Sequence, residues 1–308
     1  MQGNDALIES LKEGRRQFLE LVAHLRPELH RYCARMTGSV ADGEDVVQDA
    51  LARAYYDLAE LKEPAAMRAW LFRIAHNRAL DWLKRYDRRM GEPLEEPDAL
   101  AAPADDPEDE VAREQALQAA LSRFLELAPA QRSCVILKDV LEHSLEEIAA
   151  LLDLTVPAVK AALSRGRARL RELTAVRPAA APIVATAPPA ALLRYMELFN
   201  ARDWDGVRSM LADDVRLDLV SRTKAAGRRQ VANYFGNYDK VAGWRMAPAT
   251  LDGRAVLAMF ESPRASAPAY FVGLDFTDGR VALIRDFRYV PYILREAPLL
   301  LQPGAVNN

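Results

Sequence analysis

Hydrophobic residues recur every three or four positions over most of the first 174 residues, which is the period of an amphipathic α-helix. The breakers Thr37-Gly38-Ser39 and Lys62-Glu63-Pro64 divide the first stretch, from about Phe18 to Arg89, into several helices. A second helical stretch runs from about Val111 to Thr174. The pattern therefore predicts two all-α segments.

The pattern changes after about Ala190. Two short helical runs, LLRYMELFNA and WDGVRSMLA, precede the alternating run VRLDLV, and a further helix is predicted near GRRQVANYF. Four strand-like runs then follow: WRMAPATL, RAVLAMFES, AYFVGLDFT and RVALIRDFRYV. Helices followed by a mostly antiparallel sheet predict an α+β domain.

Two linkers separate these segments. Residues 91–110 are rich in Pro, Asp and Glu and are too polar to form a core, whereas residues 176–189 are rich in Pro and Ala. We therefore expect a multidomain chain with folded domains at 1–90, 111–175 and 190–297, followed by a tail at 298–308.

Composition and charge refine this view. The formal net charge of -3 hides a strong local asymmetry. Between Arg68 and Arg89 there are seven bases and two acids, whereas from Glu92 to Glu114 there are ten acids and one arginine. A basic helix thus precedes an acidic linker, and the net charge does not exclude a nucleic-acid partner.

Neither a metal site nor a cofactor is expected. Cys33 and Cys134 lie far apart in apolar helical patterns, which indicates buried, reduced thiols rather than a disulfide or metal ligands. The N-terminal residues are charged throughout, and the Ala-rich run near Pro178 is broken by prolines. We therefore expect a cytoplasmic protein without a signal peptide or a membrane span.

The basic helix, RAWLFRIAHNRALDWLKRYDRR, has two distinct sides. Leu71, Ala75, Ala79, Trp82 and Tyr86 form an apolar side. The basic face, as we call the other side, mixes bases, an amide and an indole: Trp70, Arg73, Asn77, Arg78, Asp81, Lys84 and Arg85.

That mixture suits a separated nucleic-acid strand. Aromatic rings stack on unpaired bases while basic side chains neutralise phosphates. Asn77 would read a base edge, and Arg73 and Lys84 would follow the backbone. The alternative is that Trp70 and Ile74 belong to the core and that the bases form a solvated rim.

The run SLEEIAALLDLTVPAVKAALSRGRARLREL has helix-turn-helix spacing. Thr155 is the predicted N-cap of the second helix, and Val159, Leu163 and Leu170 form its inner face. The candidate DNA-contacting residues are Thr155, Lys160, Ala161, Ser164, Arg165 and Arg167. An ordinary helical hairpin with a solvated basic face is the alternative.

Upstream, DGEDVVQDALARAYY carries four polar residues, Glu44, Asp45, Gln48 and Asp49, which we expect to be exposed. Acids near a helix N-terminus are favoured by the helix dipole, so plain solvation is one interpretation. A docking patch for a large partner is the other.

Taken together, DGEDVVQDALARAYY, RAWLFRIAHNRALDWLKR and LAPAQRSCVILKDVLEHSLEEIAALLDLTVPAVKAALSRGRARL resemble a bacterial RNA polymerase sigma factor of the extracytoplasmic-function (ECF) type. The resemblance covers about Phe18 to Thr174. It implies a region-two helical bundle followed by a region-four helix-turn-helix domain.

The resemblance also implies partners and site residues. Glu44, Asp45, Gln48 and Asp49 match the helix that docks on the β′ clamp of core RNA polymerase, and the β flap is a second expected contact. The basic face matches the segment that opens and reads the minus-ten promoter element. Lys160, Ala161, Ser164 and Arg165 match the recognition face for the minus-thirty-five element.

The third segment resembles a SnoaL-like domain of the nuclear-transport-factor-like fold, which implies a cone-shaped cavity and a small-molecule ligand. The pocket candidates are Asp218, Trp244, Tyr270, Arg285 and Asp286. Strand alternation places Arg285 and Asp286 on opposite faces, so only one can point into a cavity. Surface charges or a structural ion pair are the alternative.

These observations predict a sigma factor that binds core RNA polymerase and promoter DNA, has no catalytic residues, and is regulated by its third domain. Two alternatives remain. One is a small-molecule hydrolase or isomerase pocket fused to a DNA-binding module. The other is an operator-binding regulator that does not contact polymerase.

Overall fold

The computed structural model describes residues 2–61, 63, 66–90, 121–176, 188–241, 243–296 and 299–302. The chain divides into two compact units, Met1–Ala181 and Pro182–Asn308. The predicted acidic linker at 91–110 and the start of the predicted second domain, 111–120, lie outside the described residues, as does most of the Pro/Ala linker.

The first unit begins with four helices. They are α1 (Gln2–Val22), α2 (Arg26–Thr37), α3 (Val40–Tyr56) and α4 (Met67–Met90), with a 3₁₀ turn at Leu58–Glu60. Gly38 ends α2 in the left-handed region at φ 72°, and the side chain of Ser39 accepts a hydrogen bond from the backbone N–H of Asp42. These caps explain the predicted break between α2 and α3.

Four more helices lie in the described residues of the first unit after position 120. They are α5 (Leu121–Phe124), α6 (Pro129–Val135), α7 (Leu145–Leu152) and α8 (Val156–Val176), and a π-helical turn at Ile136–Val140 follows α6. Ser144 and Glu147 form a capping box at the start of α7, and Asp153 ends α7 at φ 57°. The short turn after Asp153 produces the predicted helix-turn-helix.

Both helical blocks contribute to one hydrophobic core. Tyr32 and Phe72 from the first block and Phe124, Ile136 and Ile148 from the second are all fully buried and belong to the same cluster. Burial of side chains of this size contributes about 1.5 to 3 kcal/mol each. The two predicted helical domains are therefore packed together within one compact unit.

In its described residues, the second unit contains three helices and a seven-stranded sheet. The helices are α9 (Ala190–Asn200), α10 (Trp204–Ser209) and α11 (Arg228–Asp239). The strands are β1 (Leu211–Leu219), β2 (Thr223–Ala226), β3 (Arg245–Leu251), β4 (Arg254–Phe260), β5 (Tyr270–Thr277), β6 (Arg280–Asp286) and β7 (Leu300–Leu301). A 3₁₀ helix spans Pro291–Arg295.

The order of strands in the sheet is β2-β1-β6-β5-β4-β3-β7. β1 and β6 pair in parallel, whereas the other neighbouring strands are antiparallel. Tyr195, Phe199 and Phe235 from the helices share a core with Val272 and Ile284 from the sheet. The predicted α+β class is confirmed, and the element order is the one expected of a SnoaL-like domain.

The local sequence explains the hairpin between β5 and β6. Asp278 and Gly279 both have positive φ, 51° and 74°, as a two-residue turn of the right twist requires. The short strands β2 and β7 were not predicted, because four and two residues give too little alternation to recognise.

Candidate nucleic-acid interface and C-terminal polar cluster

Helix α4 presents the predicted basic face to solvent. Arg73, Asn77, Asp81, Lys84 and Arg85 are exposed. Arg78 is half-buried, and its guanidinium lies 3.7 Å from the carboxylate of Asp81. Leu71, Phe72, Ala75, Ala79 and Leu83 form the buried side of the helix.

Trp70 and Ile74 occupy an intermediate position. Both are half-buried and pack against the hydrophobic core at the edge of the basic face. The guanidinium Nη2 of Arg73 donates a 2.7 Å hydrogen bond to the backbone carbonyl of Ala150 in α7. The helix-turn-helix therefore contacts one end of the basic face.

A polar cluster that was not predicted joins the two helical blocks. The hydroxyl of Tyr32 lies 2.7 Å from Nδ1 of His76 and donates to Oγ of Ser133 at 3.2 Å. Burial lowers the pKa of His76 to about 4, so its imidazole is neutral at pH 7. Arg132 donates to the carbonyl of Met36 at 2.6 Å. We call this cluster the interblock seam.

The acidic patch on α3 is only partly accessible. Glu44 was expected to be exposed, but its side chain is fully buried and forms an ion pair with Arg26. Asp45 and Gln48 are half-buried, and Asp49 is exposed. Glu44 is four residues after Val40 and three before Val47, so its position on the apolar side was readable from the helical period.

The recognition helix, α8, largely follows the prediction. The side chain of Thr155 accepts a hydrogen bond from the backbone N–H of Ala158 at 3.3 Å, as an N-cap does. Val159, Leu163 and Leu170 are buried. Thr155 and Lys160 are exposed, and Ala161, Ser164 and Arg165 are half-buried.

Arg167 was predicted to face DNA, but it is buried. Its guanidinium makes two hydrogen bonds to the carboxylate of Asp139, Nε to Oδ2 at 3.0 Å and Nη2 to Oδ1 at 2.6 Å. Gly166 is buried as well. It is packed so closely that an added Cβ would lie 2.7 Å from Cγ2 of Val135. Both residues thus pack α8 against its neighbours and do not form part of the exposed recognition face.

In the second unit, three of the five pocket candidates come together. Asp286 is buried, and its Oδ2 accepts hydrogen bonds from the hydroxyls of Tyr234 at 2.6 Å and Tyr238 at 2.9 Å. The hydroxyls of Tyr238 and Tyr270 are 2.7 Å apart. Trp244 packs on Tyr270, with ring centroids 5.6 Å apart. We call Asp286, these three tyrosines and Tyr195 the tyrosine cluster.

Asp218 and Arg285 do not belong to this cluster. They pair with each other across β1 and β6, and alternation places them on the opposite face of the sheet from Asp286. Asp218 lies 3.7 Å from Lys224, and Arg285 stacks over Phe287. The interpretation that these residues are structural or surface charges fits both.

The sequence reasoning missed Tyr195, Tyr234 and Tyr238. Tyr234 and Tyr238 are four residues apart on α11, which places both on the side that packs on the sheet. Tyr195 lies on the buried side of α9. The spacing was a usable signal for the two residues on α11.

The cluster holds Asp286 as a hydrogen-bond acceptor. Burial raises the pKa of Asp286, while the tyrosine hydroxyls and the backbone N–H of Arg288, which donates to Oδ1 at 2.9 Å, oppose that rise. Because the two carboxylate oxygens of Asp286 already accept three hydrogen bonds, they have little capacity left to take a proton from a substrate. The arrangement is therefore better suited to binding than to acid-base chemistry.

The described ranges contain neither a metal-binding cluster nor a membrane-spanning helix. No group of three or more histidine, cysteine or acidic residues there is placed to hold a metal ion. None of the helices in those ranges is long and apolar enough to cross a membrane. Cys33 and Cys134 are both buried and free.

Comparison with known families supports the sequence interpretation. Residues 21–89 match the profile of Sigma-70 region 2, and residues 117–170 match that of Sigma-70, region 4. These two profiles define the sigma-70 class of transcription factors.

Individual relatives make the assignment more specific. ECF RNA polymerase sigma factor SigM of Mycobacterium tuberculosis is 31% identical over 156 residues, which cover 51% of this chain and 76% of SigM. SigG of the same species is 33% identical over 223 residues, 64% of this chain and 60% of SigG. SigW of Bacillus subtilis is 29% identical over 174 residues, 54% of this chain and 93% of SigW. The chain belongs to the ECF RNA polymerase sigma factor family.

The solved structures that are similar to this chain include two sigma factors. M. tuberculosis SigJ is 26% identical with a TM-score of 0.35, and the match covers 91% of this chain and 99% of SigJ. RpoE from Bartonella quintana, crystallised with the anti-sigma factor NepR, is 23% identical with a TM-score of 0.40, covering 53% and 99%. A putative polyketide cyclase from Sinorhizobium meliloti matches 32% of this chain and 93% of its own at 18% identity, with a TM-score of 0.27.

Proposed function

We propose that this chain binds core RNA polymerase, recognises the minus-ten and minus-thirty-five elements of a promoter, and starts transcription without catalytic residues of its own. The chain aligns with 60% of the length of SigG, so its activity and partners are inferred from its own residues as well as from the family. The proposal places the protein in the cytoplasm, where its polymerase and promoter are.

One observation carries the proposal: a single unit presents both a basic face with an adjacent indole and a helix-turn-helix. The exposed side chains of Arg73, Asn77 and Lys84 suit a separated strand, and half-buried Trp70 lies on the same helix face. Exposed Lys160 with half-buried Arg165 suits a duplex groove. Starting transcription at a promoter requires both recognition of the DNA duplex and separation of its strands. The helix-turn-helix suits the first task and the basic face suits the second.

The contact with polymerase is expected to use the accessible part of α3. Asp49 is exposed, and Asp45 and Gln48 are half-buried, whereas Glu44 is held inside by Arg26. We therefore assign the β′ clamp contact to Asp45, Gln48 and Asp49, and assign Glu44 to supporting the helix. The β flap contact is assigned to the helix-turn-helix block.

Arg73 joins the basic face to the helix-turn-helix. It donates one of its five guanidinium N–H groups to Ala150 of α7, and this bond fixes the orientation of its side chain. We infer that binding to polymerase and promoter separates Arg73 from Ala150. The C-terminal α+β domain is proposed to regulate the activity of the first unit.

Run-off transcription with purified core polymerase and a randomised promoter library tests the proposal. The expected result is transcription from a subset of promoters that share two elements, with a steep decrease as salt rises because phosphate contacts release counterions. A chain truncated after Thr174 should show a changed output. An operator-binding regulator would bind DNA but leave core polymerase silent on every promoter, and that result would refute the proposal.

A further inference from the structure

The accessible surface of α8 is apolar at the end where the helix begins. Pro157 is exposed, and Ala161 and Ser164 are half-buried. At about 100° per residue, these three residues lie within about 60° of one another around the helix axis. Leu154, in the turn that precedes α8, is 37% exposed. The first turns of α8 thus present small apolar groups and one hydroxyl to the surroundings.

This apolar end of α8 carries little charge. From Asp153 to Ala161 the sequence contains one base, Lys160, and one acid, Asp153, and both are exposed. Of the predicted recognition arginines, Arg165 is half-buried and Arg167 is buried. Because the two exposed charges cancel, attraction to phosphates is a weak basis for recognition at the start of the helix.

The start of a recognition helix is the part that reads base edges. In helix-turn-helix proteins, the second helix lies in the major groove and its N-terminal residues contact the bases, while the first helix crosses the DNA backbone. In this chain α7 and α8 are the two helices. Pro157 and Ala161 therefore lie at the base-reading end. Ala168, half-buried on the same side of α8 but two turns later, lies beyond it.

Thymine is the base that an apolar side chain recognises in the major groove. Its 5-methyl group projects into that groove, whereas the edges of guanine, adenine and cytosine there present hydrogen-bond donors or acceptors. A polar edge placed against the methyl group of Ala161 would lose hydrogen bonds to water without replacing them. A thymine methyl group instead gains free energy from the contact, because apolar surface on both sides leaves water.

We propose that Ala161, with Pro157 beside it, contacts the 5-methyl group of a thymine in the minus-thirty-five element, and that this contact selects thymine at that position. The inference rests on the proposed function and adds the base that the start of the recognition helix reads. Lys160 lies about 100° from Ala161 around the axis, so it borders the apolar contact without occupying it.

Scanning a promoter with deoxyuridine tests the proposal, because uracil is thymine without the 5-methyl group. The probe is a promoter from the randomised library that is transcribed by the holoenzyme of the full chain and core polymerase. Each thymine of its minus-thirty-five element, on either strand, is replaced singly by deoxyuridine, and the Kd of the holoenzyme for the labelled DNA is measured by anisotropy. We expect at least one replacement to weaken binding about fourfold, the factor for one methyl-sized group removed from water.

Ala161→Gly and Ala168→Gly form a matched pair of variants. Both remove one methyl group from the same side of α8, and both carry the same intrinsic cost to a helix. Ala161→Gly should lose most of the fourfold difference between thymine and deoxyuridine at the sensitive position. Ala168→Gly should keep that difference.

Four results would overturn the inference: an element without thymine, an element in which no deoxyuridine weakens binding, an unchanged difference in Ala161→Gly, or a loss of the difference in both glycine variants. The last would assign the effect to helix stability rather than to a methyl contact. In all four the holoenzyme still transcribes, so the proposed function stands. A holoenzyme that is silent on every promoter would refute the proposed function and this inference together.

Discussion

The guanidinium of Arg73 in α4 is hydrogen-bonded to the backbone carbonyl of Ala150 in α7, at 2.7 Å. One residue of the basic face is therefore used to hold the helix-turn-helix against the first helical block. The bond uses one of the five N–H donors of the guanidinium and fixes its orientation against α7. We expect full reach of Arg73 towards a phosphate to compete with this contact.

Substitution of Arg73 by Ala should affect both roles in opposite directions. Loss of the bond to Ala150 should ease separation of the blocks by about 0.5 to 1.5 kcal/mol. Loss of a phosphate contact should weaken promoter opening and reduce the magnitude of the salt slope of the open complex by about 0.7, the value for one single-strand phosphate. Permanganate footprinting across a salt series measures the second effect.

The matched control is Arg194→Ala. Arg194 is an exposed arginine of α9 in the second unit and lies 3.7 Å from Glu197. The substitution Arg194→Ala removes the same charge from the chain at a site outside the basic face, so the salt slope of the open complex should not change. An unchanged slope in Arg73→Ala would instead show that Arg73 serves only to hold Ala150.

Arg167→Met should destabilise the first unit rather than change promoter choice. Arg167 and Asp139 form a buried, two-bond ion pair, and removing the arginine leaves a buried carboxylate without that partner. Loss of one partner of such a pair costs about 3 to 5 kcal/mol. Urea unfolding of the full chain measures the loss.

Arg169→Met provides the comparison, since Arg169 is exposed and pairs with Glu172 at 3.1 Å. An exposed pair of this kind contributes about 0 to 1 kcal/mol. If Arg167→Met were as stable as Arg169→Met and only lost affinity for the minus-thirty-five element, the buried assignment would be refuted.

The helical period predicted where the elements lie more reliably than which polar residues are exposed. The basic helix was predicted over 68–89, and α4 spans Met67–Met90. Arg167 lies four residues after Leu163 and three before Leu170, at the border of the apolar side. The basic composition of this helix favoured an exposed arginine at position 167. The side chain of Arg167 is buried instead, because it pairs with Asp139, which is 28 positions away in sequence.

Contacts between segments could not be predicted in this way. The seam between Tyr32, His76 and Ser133 joins residues up to 101 positions apart, and periodicity reports only neighbours along one helix. The same limit applies to the tyrosine cluster, where α9, α11, β5 and β6 each contribute. Alternation did correctly separate Asp286 from Arg285, because that choice depends on a single strand.

Asp49→Asn and Glu44→Gln should separate partner binding from folding. Asp49 is exposed, so its loss should weaken binding to core polymerase by up to about fivefold, the value of one surface charge pair, and leave stability unchanged. Glu44 is buried against Arg26, so Glu44→Gln should lower the free energy of unfolding. Anisotropy titration with labelled chain, together with urea unfolding, measures the two quantities. The reverse pattern would contradict the assignment of the docking contact to Asp49.

The stability of the first unit should fall as the pH is lowered, because His76 is held half-buried in its neutral form in the interblock seam. Its pKa of about 4 lies below the ordinary value of 6.5, so between these values the unfolded chain binds more protons than the folded one. Stability is therefore retained above pH 6.5 and lost as the pH falls towards 4, by about 2 kcal/mol between pH 7 and pH 5.

Urea unfolding followed by ¹⁹F signals of 5-fluorotryptophan at Trp70 and Trp82 reports this unit alone. His76→Gln, which keeps a hydrogen-bonding group beside the Tyr32 hydroxyl but does not titrate, should lose this part of the pH dependence, whereas His24→Gln, at an exposed histidine, should retain it. Equal pH dependence in the wild-type chain and His76→Gln would show that the seam does not carry the effect.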